Sequence, residues 1–244
     1  MKMFKNALLL GGVMATFALT SCLKGGNSAS YTAIGTVATD KVGQTVFYAD
    51  NAGSVYRADN DILDGSIGKR ITCKMDINYD NQSSSNYIIS TISDIKKLNR
   101  QDIFDLNTPQ DTAGMSKDTL FITPITSTAT TCIQQQKYYV NLNINYLAQK
   151  KDAGPEHKFK VYYDAAESSK PENSKNIYLL LTHDENGEIP GGKEMKTALE
   201  TYDITQYVIE KDKKAEGNVI MTYYGSKGKT TLSMPFINYE FSQL

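Results

Sequence analysis

Along most of the chain, apolar and polar side chains alternate with a period of two, the mark of β-strands. Tyr31 to Thr39 is rich in β-branched residues, and Gly35 within it marks a bend or a close backbone approach. Gln44 to Tyr48 and Ser54 to Arg57 flank a short turn holding Asp50, Asn51 and Gly53, which reads as a hairpin. Arg70 to Tyr79 alternates cleanly. A polar turn, Asn81 to Asn86, then leads into a strand over Tyr87 to Leu98. Five strands in about seventy residues suit a small barrel of the OB type.

Residues 99–117 break the pattern. The stretch is polar, holds Pro109, Gly114 and three aspartates, and reads as a linker between two domains. Its Ile103, Phe104 and Leu106 are expected to dock onto one of them. Strands resume at Thr119 to Ile125. From Tyr138 to Tyr146, Tyr138, Val140, Leu142, Ile144 and Tyr146 share one face, while Tyr139, Asn141, Asn143 and Asn145 form a face expected to be wet. Phe159, Val161 and Tyr163 continue the period. Ile177 to Leu181 is apolar on both faces and reads as a central strand. Val219 to Tyr224 and Thr230 to Phe241 close the chain, with a slip of phase beside Pro235 of the kind a β-bulge causes. The stretch 193–202 predicts a short helix. The second half therefore fits a β-sandwich, and the whole chain reads as all-β: an OB-like small barrel over 31–98, a linker over 99–117 and a sandwich over 118–244.

The N-terminus changes the picture from fold to address. Lys2 and Lys5 precede an uncharged run from Ala7 to Leu19, a signal peptide by length and order. The run is shorter than the roughly 20 residues a membrane span needs. It ends Leu19-Thr20-Ser21-Cys22, which resembles the lipobox of bacterial lipoproteins. The resemblance implies that residues 1–22 carry the signal, that Leu19, Thr20 and Ser21 are read by the signal peptidase, and that Cys22 is acylated. Several acyl chains on one residue anchor stably, since each buried methylene contributes about 0.8 kcal/mol. Residues 23–30 are small and polar, as a flexible tether is. Surface lipoproteins of Bacteroidetes often carry acids directly after the lipidated cysteine. This chain has Lys24 there, so the face of the outer membrane stays open.

Composition adds little. The net charge is -1, and losing the two signal lysines takes it to -3, so there is no basic footprint for nucleic acid. There is no tryptophan but there are 16 tyrosines, a residue suited to half-buried strands. Cys73 and Cys132 remain after the lipobox cysteine. An oxidising compartment permits a disulfide between them, but Cys73 lies in the apolar alternation of Ile71, Met75 and Ile77 and reads as a core thiol.

The mature chain resembles the NigD-like lipoproteins of Bacteroidetes. The likeness is carried by the lipobox cysteine with its short tether and by a first strand ending near Gly35-Thr36-Val37. An OB-like half then closes at Ile92-Ser93-Asp94-Ile95, and the second half opens with Asp118-Thr119-Leu120-Phe121-Ile122-Thr123 and Tyr138 to Leu142. The resemblance implies an OB-like domain followed by a β-sandwich. It supplies no catalytic residues, and the family's name points to a bacteriocin-associated role in immunity or defence.

Candidate chemistry is sparse. No nucleophile elbow, HExxH or P-loop is present, no catalytic residue is assigned and no cofactor is expected. The two histidines, His157 and His183, read as a loop residue and a strand-end residue. Asp59, Asp61 and Asp64 miss the EF-hand spacing by one position. Asp184, Glu185 and Glu188 form an acidic loop with oxygen ligands of the kind calcium takes. Exposed tyrosines would serve a glycan, the candidates being Tyr48, Tyr56, Tyr223 and Tyr224. Asp111-Thr112-Ala113 resembles the O-glycosylation acceptor motif of Bacteroidetes, which makes Thr112 a modification site. The sequence thus reads as a non-enzymatic binding or scaffold module, held to the membrane by its lipid, whose partner is another envelope protein or a cell-surface glycan. The competing reading is a glycan or peptidoglycan hydrolase with a carboxylate pair that sequence does not reveal.

Overall fold

The computed structural model describes residues 27–50, 55–82, 87–98, 100–106, 129–134, 137–149, 157–173, 175–185, 193–209, 217–225 and 228–237. The lipobox with Cys22, Thr112, the strand expected over 119–125 and Glu188 lie outside the described residues. No helix among the described residues is long and apolar enough to cross a membrane.

The first five strands close on themselves. They are β1 (Ser28–Thr39), β2 (Thr45–Ala49), β3 (Val55–Ala58), β4 (Arg70–Asn78) and β5 (Ile88–Lys97), ordered β1-β2-β3-β5-β4 and back to β1. All pairs are antiparallel except β3 with β5. Strand β1 begins at Ser28, so the last three residues of the expected tether are ladder and not free chain. Closure depends on two local devices. Gly35 pairs with Ala49 on one side and Ile71 on the other. A Cβ there would lie 2.1 Å from the Tyr48 carbonyl oxygen and 2.7 Å from the Phe47 ring, so only glycine lets β1 pass this close. On β5, an extra residue opposite Cys73 shifts the register between Thr72 and Lys74, and Asp94 there takes a φ of 52°. Such a bulge sharpens the curl that a five-strand ring needs. Phe47, Ile71, Met75, Ile77 and Ile92 fill the interior with Leu63, which enters from a 3-10 turn at Asp61–Ser66.

The remaining strands form one nine-stranded ribbon. They are β6 (Arg100–Gln101), β7 (Ile103–Asp105), β8 (Ala129–Gln134), β9 (Lys137–Gln149), β10 (Lys158–Tyr163), β11 (Ile177–Asp184), β12 (Lys193–Asp203), β13 (Asn218–Gly225) and β14 (Gly228–Ile237). Their order is β6-β12-β9-β8-β14-β13-β11-β10-β7. Val140, Leu142 and Ile144 of β9 share one core cluster with Leu179 and Leu181 of β11, four places away in that order. Strands are about 4.8 Å apart in a sheet, so contact over four places requires the ribbon to fold face to face into a sandwich. The fold falls at β14. This strand pairs with β13 up to Pro235, then with β8 through Phe236 and Ile237. The slip of phase seen in the sequence is therefore a handover between sheets and not a bulge within one hairpin. Proline, with no amide hydrogen to donate, suits the point where one ladder stops.

Two expectations are corrected. Residues 193–202 are strand, not helix: β12 pairs with β9 across Lys193–Asp203. The helix-favouring Ala198, Leu199 and Glu200 are overruled by that ladder. Residues 100–105 are not a bare linker. β6 lies parallel to β12 and β7 parallel to β10, so consecutive residues cap both ends of the ribbon. Asp102 alone separates them.

Candidate functional site

The barrel meets the sandwich through a buried charged joint. Asp50 follows β2, Arg70 opens β4, and Asn141 and Thr201 sit side by side on β9 and β12. Arg70 Nη1 donates to Asp50 Oδ1 at 2.7 Å and to Thr36 Oγ1 at 3.1 Å. Its Nη2 donates to Asp50 Oδ2 and, at 2.8 Å, to Asn141 Oδ1. Asn141 Nδ2 returns a hydrogen bond to Asp50 Oδ2 at 2.8 Å, and Thr201 Oγ1 donates to Asn141 Oδ1 at 2.9 Å. Each amide atom of Asn141 thus finds its complement, which fixes which way the amide points. The guanidinium lies 4.4 Å from the Tyr139 ring centroid, within cation–π range. All five residues, Asp50, Arg70, Tyr139, Asn141 and Thr201, are buried. The face of β9 expected to be wet is consequently dry over Tyr139 and Asn141, because the barrel docks on it.

Beside this joint lies an open groove of about 620 Å³. Its walls are Arg100, Asp102 and Ile103 from the crossing segment, Lys137 at the start of β9, and Asp203, Thr205, Gln206 and Tyr207 where β12 enters the short helix α2 (Thr205–Ile209). Tyr207 forms the floor. Its ring stacks on Tyr163 at 4.4 Å and its hydroxyl donates to the Ile103 carbonyl at 3.2 Å. Asp203 Oδ1 accepts from the Thr205 amide at 2.9 Å, and Oδ2 meets Arg100 Nη1 at 3.5 Å. The groove offers two cations, two carboxylates, two hydroxyls and an amide, all of them groups that recognise polar chains. It lacks a histidine, cysteine or serine for nucleophilic work.

The residues singled out in the sequence fall elsewhere and apart. Tyr56 is inside the barrel, with its hydroxyl 2.7 Å from that of Tyr31. Tyr223 is buried in the sandwich core. Neither presents a ring to a ligand, because both point inward on their strands. Tyr48 and Tyr224 are half-buried, one on the barrel and one on the sandwich. Glu185 pairs with Lys193 at 3.4 Å, Asp184 is exposed at the end of β11, and no three metal-ligating side chains gather among the described residues. Asp64 accepts from Thr45 and Asp59 from Thr91, which ties the acidic turn to its neighbours. Cys73 is a free, buried thiol, pushed up to about 12 by burial. The side chain of Cys132 lies outside the description.

The sequence did not reveal that the two histidines meet. His157 Nδ1 and His183 Nε2 are 2.8 Å apart, packed against Tyr146 of β9 and Phe159 of β10. The usable signal was the register of β10 against β11. Phe159 opposes His183, so the residue two positions before Phe159 falls diagonally across on the same face.

No protein-family model matches the sequence, and no curated protein is similar to it. Solved structures share the fold. A protein of unknown function from Bacteroides vulgatus superposes with a TM-score of 0.62 at 12% identity, over 88% of this chain and 94% of that one. A candidate lipoprotein from Bacteroides fragilis matches at 0.51 and 10% identity, over 86% and 99%. A NigD-like immunity protein from Bacteroides caccae matches at 0.46 and 17% identity, over 86% and 92%. At such identities a likeness speaks of architecture alone.

Proposed function

We propose that this protein is a lipid-anchored, non-enzymatic binding module of the bacterial envelope. Its groove between the crossing segment and the sandwich receives a polar segment of another envelope protein or of a cell-surface glycan. The observation that supports this most is the groove itself, a polar recess held in shape on one side by Tyr207 and closed on another by the segment that joins barrel to sandwich. The lipobox and the basic, apolar N-terminus motivate the anchor. Asp102 and Asp203 line the same recess, which favours a hydrolase as the second reading. Asp203 already holds the start of α2 and Arg100, and this speaks against a role as acid or nucleophile.

Photo-cross-linking from position Gln206 in living cells tests the proposal, together with a glycan array probed with the purified lipoprotein. A single recurrent protein adduct, or a consistent glycan class, lost with Arg100→Glu and Lys137→Glu, is the expected result. Absence of both, or turnover of a glycan that Asp102→Asn abolishes, overturns the binding reading. Residual binding to detergent-solubilised membranes after removal of the lipid separates the groove from the anchor.

A further inference from the structure

β12 pairs with β9 along its whole length on one side, but β6 covers only Thr201 and Tyr202 on the other. From Glu194 to Leu199 no strand lies beside the outer edge of β12 among the described residues. A bare edge is a template for another strand. At its centre Met195 is 53% exposed, and its cross-strand neighbour Leu147 is 37% exposed, so the edge carries an apolar step as well as open backbone groups. Met195 stands between Glu194 and Lys196.

We infer that two copies of this chain pair through this edge, β12 antiparallel to β12, about a two-fold axis at Met195. The charge pattern selects that register. With Met195 opposite itself, Glu194 of each copy faces Lys196 of the other, and opposite charges directly across an antiparallel pair are favourable. Centring on Glu194 sets two glutamates face to face, and centring on Lys196 sets two lysines. Faces must also match, so only even shifts are allowed, because a one-residue slip inverts every side chain. The contact is isologous and closes at two copies. It continues the β12 sheet across the dimer while the groove around Arg100 and Asp203, at the far end of the strand, stays open.

The test is cysteine cross-linking of the full-length lipoprotein in its own membranes under mild oxidation. Met195→Cys places two thiols across the axis at a separation a disulfide accepts. Thr197→Cys places them about four residues out of register. A covalent dimer with Met195→Cys and none with Thr197→Cys is expected. Adding Lys196→Glu to Met195→Cys should reduce the dimer at least tenfold, and adding Glu194→Lys as well should restore it. No dimer, equal dimer at both positions, insensitivity to the charge reversals, or an adduct to a different protein each overturns the self-pairing.

Discussion

Five strands closed in a ring leave no free edge, whereas nine strands in an open ribbon end in two. The barrel solves the problem internally: Gly35 lets β1 pass over Phe47, and the bulge at Asp94 turns β5 enough to meet β4. The sandwich borrows a partial solution. The segment leaving the barrel lays β6 along one end of the ribbon and β7 along the other, and the barrel itself dries the outer face of β9. One half is therefore self-contained and the other depends on its neighbour. The difference predicts that damage in the barrel stays local unless it touches the joint, while damage at the joint reaches both halves.

The largest effect should come from Arg70→Ala. It leaves Asp50 buried without its cation and takes away one donor to Asn141 Oδ1, and removing one partner of a buried pair costs about 3–5 kcal/mol. Chemical denaturation followed by fluorescence should show a lower midpoint, with separate transitions for barrel and sandwich where the unaltered protein shows one. A single transition of unchanged midpoint would mean that the halves are not coupled through this joint. Gly35→Ala comes next, since its methyl collides with the Tyr48 carbonyl and the Phe47 ring. Overpacking of this kind costs about 1–3 kcal/mol. Because the damage is inside the ring, hydrogen exchange should rise in β1 and β2 and stay unchanged in β11 and β13. Tyr207→Phe removes the hydrogen bond to the Ile103 carbonyl, worth about 1 kcal/mol. Exchange should then rise at β7 first, because that strand is the ribbon's stitch.

Smaller effects sharpen the contrast. Burial pushes the Asp40 carboxyl up, but hydrogen bonds from Tyr87 and from the Gln44 and Val42 amides outweigh it and hold the group below the usual carboxylate range. A depressed carboxyl stabilises the fold above its ordinary value and stops doing so as pH falls through its lowered value. Asp40→Asn should therefore melt slightly below the parent at neutral pH, and the two should converge in strong acid. Screening at this exposed turn keeps the difference small. Tyr202 is fully buried, and its hydroxyl has no hydrogen-bond partner among the described residues. Tyr202→Phe removes a desolvated polar atom without changing shape, so it should be neutral or slightly stabilising in a thermal melt.

Alternation exposed most strands because one of their faces is apolar: β4, β5 and β10 stand almost where the period of two puts them. Alternation is blind to what lies opposite a polar face. Asn141 reads as solvated in sequence, and it is dry only because Arg70, 71 positions away, comes to it. The strands β6 and β7 were missed for their length, since two or three residues carry no period. β12 was misread because Ala198, Leu199 and Glu200 favour helices intrinsically, and only the ladder with β9 decides otherwise. The groove is assembled from three separated segments with no local motif. Nothing in a linear pattern points to it.

The route of β1 has a mechanical consequence. The chain enters the barrel at Ser28, and β1 is then gripped by β4 over nine positions and by β2 over five. A pull applied at Ser28 would therefore act along β1 and strain both ladders in shear, so that many hydrogen bonds must yield together.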